Sequence, residues 1–318
     1  MLPAVSVVIP NWNGAELLRT LFVSLGLQEA IAETIVVDNG STDNSVMVAE
    51  AAGARAIALP RNVGFAAAVN RGVQEARHDW VAVLNTDVEL TSGWVSTLLE
   101  RALVHSAWFA TGKLLNASRH DLIDGTYDAI CLGGTSWRCG SGRADGPAWN
   151  RGGTIQMAPF TALVLRKNLF ERVGPLDESF ESYLEDVDFG LRCARVGVMG
   201  VYVPEAVAYH QGSATLGRWH ADTVRRISRN QVLLAAKHLP IGFVFRVFVA
   251  QGLWGVLALR HGAGLAWFRG KLEGLRRFRS ARGSAFPVAA LVESERQIRS
   301  LQVETGFDWY WKLYFALT

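Results

Sequence analysis

A chain of 318 residues, half of them hydrophobic, is long for one domain and short for three, so we expect one large α/β unit with an appended segment. Three cysteines, Cys131, Cys139 and Cys193, odd in number and without Cys-x-x-Cys spacing, exclude a disulfide framework and a zinc knuckle and fit a reducing compartment. The net charge of +3 is unevenly placed: Arg218 to Arg282 holds 13 Lys and Arg against two acids, Asp222 and Glu273, a local charge of about +11 that suits a polyanion such as anionic lipid or a pyrophosphate, and no nucleic-acid module accompanies it.

The amino terminus is apolar, has no basic leader and meets Pro3 early, so it reads as a core strand rather than a signal peptide. Strands are expected at Val5 to Ile9, Thr34 to Val37, Arg55 to Leu59, Val81 to Leu84 and Trp108 to Thr111, with helices at Ala15 to Leu27, Ser45 to Ala52, Ala66 to Ala76 and Trp94 to Val104. This alternation predicts a Rossmann-like, mostly parallel sheet with helices on both faces. From Asn116 to Gly153 no period holds, which predicts an irregular or hairpin-rich stretch lining a site. An extended run, Ile155 to Leu165, and a helix from Lys167 to Val173 follow. Two short strands are expected around a turn at Pro204, namely Val201 to Val203 and Ala206 to Tyr209. Leu239 to Leu259 is long enough to cross a bilayer, but Arg246, Pro240 and three glycines interrupt it and a basic helical stretch, Trp267 to Arg282, comes next. A helix lying in the membrane interface explains this mixture better than a spanning one.

Chemistry is expected where the strands end, because ligands of open α/β sheets gather beyond the strands' carboxyl ends. The apolar run Trp80-Val81-Ala82-Val83-Leu84 leads into Asn85-Thr86-Asp87, whose amide and carboxylate oxygens suit Mg²⁺ or Mn²⁺ with substrate phosphates; an Asx turn would use the same residues. Pro10-Asn11-Trp12-Asn13 ends the first strand, and Asp38 ends its neighbour, where a carboxylate can accept from a ribose or base edge. Thr42 or Asp43 is expected to cap the next helix. Asn62-Val63-Gly64 opens a helix of small residues, through Asn70, that a ligand can approach closely. Glu185, Asp186 and Asp188 crowd one helix start. There Asp188 pairs with Arg192 at i, i+4 spacing, while Asp186 lies off the apolar face and is free to look into a cleft. His210 ends an apolar strand and could complete a metal shell.

These motifs, from Val7-Val8-Ile9-Pro10 through Val36-Val37-Asp38, Arg61-Asn62-Val63-Gly64-Phe65, Leu84-Asn85-Thr86-Asp87 and Val173-Gly174-Pro175-Leu176-Asp177 to Glu185-Asp186-Val187-Asp188, resemble in order a family 2 glycosyltransferase of the GT-A fold. The chain is most similar to that family's bacterial rhamnosyltransferase-like branch. The resemblance implies three segments: a nucleotide-sugar half at 1–115, an acceptor and catalytic-base half of the same domain at 116–217, and a basic, apolar helical segment at 218–318. It implies that Pro10, Asn11, Asn13, Asp38, Asn62, Gly64 and Asn70 surround the donor with Asn85, Thr86 and Asp87. Asp87 and His210 hold a divalent cation, Mg²⁺ or Mn²⁺, with Asn85 at most an indirect ligand because an amide replaces the first acid of the Asp-x-Asp motif. Asp186 is the base that deprotonates the acceptor hydroxyl. Trp137, Phe160, Thr161 and Glu185 are expected on the acceptor side, and Arg225 and Arg229 near a lipid-linked diphosphate. The implied activity is an inverting hexosyl transfer, best L-rhamnose from a dTDP donor, onto a glycan or polyprenyl-linked acceptor for envelope polysaccharide, at the cytoplasmic face of an anionic membrane. A UDP-hexose donor and a non-catalytic nucleotide-sugar-binding relative are the alternatives. A nucleotidyltransferase is disfavoured because Asn11-Trp12-Asn13-Gly14-Ala15-Glu16 offers no basic triphosphate loop.

Overall fold

The apolar runs near the amino terminus form the centre of a sheet in a computed structural model that describes residues 2–212, 217, 219–284 and 286–318. Arg218, the expected start of the basic segment, lies outside the described residues. In chain order come β1 (Val5–Asn11), α1 (Ala15–Leu25), β2 (Ile31–Asp38), α2 (Ser45–Ala51), β3 (Arg55–Ala58), α3 (Phe65–Glu75), β4 (Trp80–Leu84), β5 (Val88–Leu90) and α4 (Trp94–Val104). Next are β6 (Phe109–Asn116), β7 (Ile123–Gly125), β8 (Asp128–Ile130), β9 (Ser136–Arg138), β10 (Gly153–Ile155), β11 (Ala162–Arg166), α5 (Leu169–Val173), α6 (Glu185–Arg195) and β12 (Gly200–His210). The chain continues as α7 (Ala221–His238), α8 (Val244–Arg260), α9 (Gly264–Ala281), α10 (Val288–Thr305) and α11 (Trp309–Leu317). Two compact units result: Met1–Tyr127 with Gly140–Gly212, and Asp128–Cys139 with Ser213–Thr318. The segment read as 116–217 is thus divided between them.

The first unit is an α/β sheet in the order β10-β12-β6-β11-β4-β1-β2-β3. Its first half is parallel, with β1 flanked by β2 and β4. Beyond β4 it is mixed, because β11 runs antiparallel to both β4 and β6. Alternation along β1 fills two cores: Val7 and Ile9 pack with Leu18, Leu21, Trp94 and Leu98, while Val8 packs with Val69, Val73 and Phe189 on the other face. Helix α3 comes close to the sheet because Gly72 faces Val8; a Cβ there would lie 2.2 Å from Val8 Cγ1.

Two expectations change. The run Ile155 to Leu165 is two strands, β10 and β11, separated around Pro159, which has no N–H to offer a ladder. Conversely, Val201 to Tyr209 is one strand. Its register against β6 shifts between Val203 and Val207, so a bulge absorbs Pro204 and no turn is needed. Gly112 of β6 accommodates the bulge, since a Cβ there would sit 1.9 Å from the Ala206 carbonyl oxygen.

The second unit combines the β8–β9 hairpin with α7 to α11. Hairpin backbone groups bond helix side chains: Ile130 N–H donates to Ser294 Oγ (2.8 Å), Leu132 N–H to Glu295 Oε2 (2.8 Å) and Gly133 N–H to Tyr314 Oη (3.0 Å). Gly270 and Gly274 on α9 let it press on α7; a Cβ at Gly270 would stand 2.2 Å from the Arg225 carbonyl oxygen. Ile241–Arg260 is long and apolar enough to cross a membrane, with a mean hydropathy of 1.7, and only 22% of it is buried.

Candidate active site

Because β1, β2 and β4 run parallel, their carboxyl ends deliver Asn11, Asp38 and Asn85 to one edge of the first unit. Asn11 and Asp38 are register partners and both are buried. The Asn11 amide donates to Asp38 Oδ1 (2.8 Å), and Ser41 donates to the same carboxylate through its hydroxyl (2.5 Å) and its backbone N–H (3.0 Å). Asn13, at φ 50°, accepts from Thr42 N–H through Oδ1 (2.8 Å) and donates its own N–H to Ser41 Oγ (2.8 Å). Asp43 does more than cap one helix. It accepts from Ser45 N–H at the start of α2 and from Ala15 N–H at the start of α1. Burial raises its pKa, but these hydrogen bonds outweigh that and hold the carboxyl below its usual range. The polar groups at the ends of β1 and β2 are thereby hydrogen-bonded to one another.

The next loop is fastened to this corner. Val63 N–H donates to Asn39 Oδ1 (2.8 Å), and the Asn39 amide donates to Asn62 Oδ1 (3.2 Å) and the Gly64 carbonyl (3.0 Å). Gly64 sits at φ 98° with a would-be Cβ 2.9 Å from the Glu181 carbonyl oxygen, so only glycine fits. Asn70 turns elsewhere: its amide clamps Leu176, donating to the Leu176 carbonyl (2.9 Å) and accepting from the Leu176 N–H (2.9 Å).

Asp87 and His210 do meet. His210 Nε2 lies 3.2 Å from Asp87 Oδ1, and Gln211 N–H donates to the Asp87 carbonyl (3.1 Å), locking the two segments together. On the ring's other side, Nδ1 lies 2.7 Å from Oδ2 of Asp124, a residue that nothing in the sequence singles out. Burial would lower the imidazole pKa, yet the bonds to Asp124 and Asp87 win and raise it to about 9. Two residues before Asp87, the buried Asn85 Oδ1 has no hydrogen-bond partner. Among the described residues no three His, Cys, Asp or Glu side chains form a ready cation cage. An unmet amide oxygen together with a paired carboxylate and imidazole nevertheless fits a hard divalent cation that takes its remaining ligands from phosphate and water. Thr86 and Asp87 also line a small recess with Leu17, Thr20, Tyr209 and Gln211.

Asp186 stands in the first turn of α6, where backbone N–H groups favour negative charge, and its Oδ1 accepts from Val187 N–H (2.8 Å). It borders an apolar recess lined by Phe109, Ala158, Phe160, Leu163 and Phe189. Three non-glycine residues just before it, Glu181, Tyr183 and Leu184, hold positive φ (59°, 74° and 68°). Such conformations cost energy and cluster at active sites and ligand clamps. The segment is also tied to the start of α3, with Ala66 N–H donating to the Glu181 carbonyl (3.0 Å). Asp188 pairs with Arg192 as expected (2.9 Å). Glu185 and Thr161 are buried, and the Thr161 carbonyl accepts from Asn85 N–H (2.8 Å).

The remaining candidates belong to the second unit. Trp137 packs on Trp311 with ring centroids 6.2 Å apart. Arg225 is neutralised by Glu273 (2.8 Å) and Asp222 (3.3 Å), and Arg229 is buried with its Nε donating to Asn230 Oδ1 (2.9 Å). Among the described residues, the exposed cations of this segment without side-chain partners are instead Arg269, Arg276, Arg277, Arg279 and Arg282.

Residues 6–172, just over half of the chain, match the family model described as glycosyl transferase family 2. The chain is 28% identical over 290 residues to the N-acetylglucosaminyl-diphospho-decaprenol L-rhamnosyltransferase of Mycobacterium tuberculosis, covering 82% of this chain and 92% of that protein. It is 29% identical over 221 residues to the pre-mycofactocin glycosyltransferase of the same organism, covering 68% of this chain and 44% of the relative. Among solved structures, GalNAc-T7 with UDP, GalNAc and Mn²⁺ superposes with a TM-score of 0.66 at 14% identity over 96% of this chain and 58% of that one. The mannosyltransferase PcManGT of Pyrobaculum calidifontis, in complex with GDP-Man and Mn²⁺, superposes with a TM-score of 0.55 at 15% identity over 99% and 87%. These likenesses establish the GT-A α/β architecture.

Proposed function

The chain belongs to glycosyl transferase family 2 and is a glycosyltransferase, and from that premise we propose that it transfers L-rhamnose from a dTDP donor, with inversion, to a polyprenyl-diphosphate-linked saccharide in envelope polysaccharide synthesis. The observation that carries this reading is the division of labour within the first unit. Asp87 faces His210 at the end of β4, and Asp186 faces a separate apolar recess at the head of α6. The mycobacterial relative, named for a decaprenyl-diphosphate acceptor and a rhamnosyl group, supports the donor and acceptor classes.

Asp87 and His210 would hold a divalent cation, with Asn85 Oδ1 accepting from water bound to it. When bound, the cation neutralises charge on the departing diphosphate. Asp38, with Asn11, Ser41 and the loop at Pro10 and Asn13, receives the nucleoside, and Asn62 and Gly64 border the diphosphate. Asp186 takes the acceptor's hydroxyl proton as the new bond from that oxygen to the anomeric carbon forms. The bond from the anomeric carbon to the diphosphate oxygen breaks in the same displacement, and the electron pair leaves with the nucleoside diphosphate. One base, with no protein nucleophile assigned opposite it, gives inversion. Phe160 and Thr161 flank the acceptor.

The second unit supplies the membrane contact. Ile241, Phe245 and Phe248 and, eight residues further on, Val256 and Leu259 are exposed along α8 and the turn before it, as are Leu265, Phe268, Leu272 and Leu275 at three- and four-residue spacing along α9. The unpaired arginines lie on α9 and just beyond it. An apolar stripe flanked by free cations suits the cytoplasmic face of an anionic bilayer better than a spanning arrangement.

A panel of dTDP and UDP sugars with Mn²⁺ or Mg²⁺, scored by thermal shift and by the anomer of the product, tests the reaction. A metal-dependent shift with dTDP-rhamnose and a product of inverted configuration are expected. Retention of configuration, or a shift confined to UDP sugars, overturns the mechanism or the donor respectively.

A further inference from the structure

Asp124 has no place in that reaction, yet it touches the reaction's histidine at shorter range than Asp87 does. Its Oδ2 lies 2.7 Å from His210 Nδ1, whereas Asp87 Oδ1 lies 3.2 Å from Nε2. The two ring nitrogens point in different directions. An ion held by Nε2 and Asp87 therefore cannot also be ligated by the Asp124 oxygen that bonds Nδ1. We propose that Asp124 is a positioning residue: it receives the Nδ1–H of His210 and so fixes the ring orientation and tautomer that present the Nε2 lone pair, alongside Asp87, to a divalent cation.

The surroundings of Asp124 suit a fixed orienting group. It is the middle residue of β7, whose neighbours Gly125 and Ile123 pair with Leu114 and Leu115 of β6. Ile123 is bonded on its outer side too, donating its N–H to the Arg143 carbonyl (2.8 Å) and accepting from Gly142 N–H (2.8 Å). Gly212, two residues after His210 and at φ 60°, approaches so closely that a Cβ there would lie 3.1 Å from Asp124 Oδ1. Backbone pairing thus holds the carboxylate from below, and the chain leaving His210 closes over it. A carboxylate on the far nitrogen of a metal-binding imidazole sets the ring and raises its basicity, and removing such a group typically weakens metal binding about 10- to 100-fold.

This inference rests on the assignment of His210 and Asp87 as cation ligands, and the test separates the two. Mn²⁺ binding to the full chain is measured by electron paramagnetic resonance of the free ion, with dTDP or UDP present, for wild type, Asp124→Ala, Asp124→Asn and His210→Ala. Metal-free melting midpoints identify any variant that fails to fold. Asp124→Ala should bind Mn²⁺ about 10- to 100-fold more weakly, and Asp124→Asn, whose amide oxygen still accepts from Nδ1, should fall between it and wild type. In the diamagnetic Mg²⁺ complex, nitrogen-15 spectra of wild-type His210 should show the proton on Nδ1, a readout that needs no variant to fold. Wild-type affinity in both Asp124 variants beside a weakened His210→Ala, or a proton on Nε2 in the Mg²⁺ complex, overturns the role of Asp124 alone. Wild-type affinity in His210→Ala removes the ligand assignment, and the role of Asp124 with it.

Discussion

The two units treat charge in opposite ways. In the sheet unit the polar groups at the strand ends are bonded to one another before any ligand is present: Asp38 to Asn11 and Ser41, Asp43 to two helix starts, His210 to carboxylates on both sides. In the helical unit five exposed arginines have no side-chain partner among the described residues, and large apolar residues such as Phe245 and Phe248 are 64% and 72% exposed. Convergent, pre-bonded polar groups are what a reaction site needs, because little reorganisation remains when charge develops. Large exposed apolar side chains mark an interaction surface, and exposed cations beside them gain energy against an anionic, apolar boundary. The proposal places chemistry in one unit and membrane contact in the other, so substitutions in one should leave the other's property intact.

The largest expected effect is on chemistry. Asp186→Asn removes the proton acceptor while keeping the side chain's size and its bond from Val187 N–H, so turnover should fall by about 10²- to 10⁴-fold. Donor affinity and vesicle binding should stay near wild type. Turnover within a few-fold of wild type would remove Asp186 from the base role, and a parallel loss of vesicle binding would break the separation of the units.

The next effect is on location. Each cation near an anionic surface contributes about 1 kcal/mol. Replacing Arg269, Arg276 and Arg279 together with Gln should therefore weaken co-sedimentation with anionic vesicles about 100-fold, with little change on neutral ones. Metal-dependent hydrolysis of the soluble donor should be unaffected. Equal binding of wild type and variant to anionic vesicles would reject the α9 face as the contact. A variant that loses donor hydrolysis would show that the helical unit contributes to chemistry after all.

Much of this arrangement was legible in the sequence, and the exceptions have physical causes. β1 and β4, buried along their whole length, read as apolar runs, and β1 to β4 with α1 to α4 fall within a few residues of expectation. Pro204 misled because a proline signals a turn locally, whereas here a bulge against Gly112 carries the strand through it. The hairpin at Asp128 to Cys139 carries no local mark that it joins helices more than 100 residues later; Ile130 finds Ser294 only in three dimensions. Among the candidate site residues, Asp38 and His210 end strands, Asp87 follows one and Asp186 lies in the first turn of a helix, so each stood out in the sequence at an element boundary. Asp124 was not, since an acid in a short Ile-Asp-Gly strand is unremarkable until His210 is folded against it. Arg225 and Arg229 were conspicuous as charges, but sequence does not reveal that Glu273 and Asn230 already receive them.

The last comparison is within α9 itself and probes an inward-turned cation by its effect on stability. Lys271 directs its ammonium to the side-chain oxygens of Gln231 (2.8 Å) and Gln251, with no carboxylate among its hydrogen-bond partners. Burial alone lowers its pKa to about 7 from an ordinary 10.5. Unfolded, the amine keeps its proton up to about pH 10.5; folded, it gives the proton up near pH 7. Between those values the unfolded state binds more protons, so stability must rise with pH. The penalty of burying the charged form is complete below pH 7 and vanishes above about pH 10.5. Denaturant unfolding of wild type and Lys271→Met should therefore diverge in this window, with wild type gaining on the variant by up to about 1.4 kcal/mol per pH unit and the gap constant below about pH 6. A pH-independent gap would mean that Lys271 stays charged when folded, its ammonium reaching water as the five free arginines do. The contrast between an inward and an outward cation on α9 would then disappear.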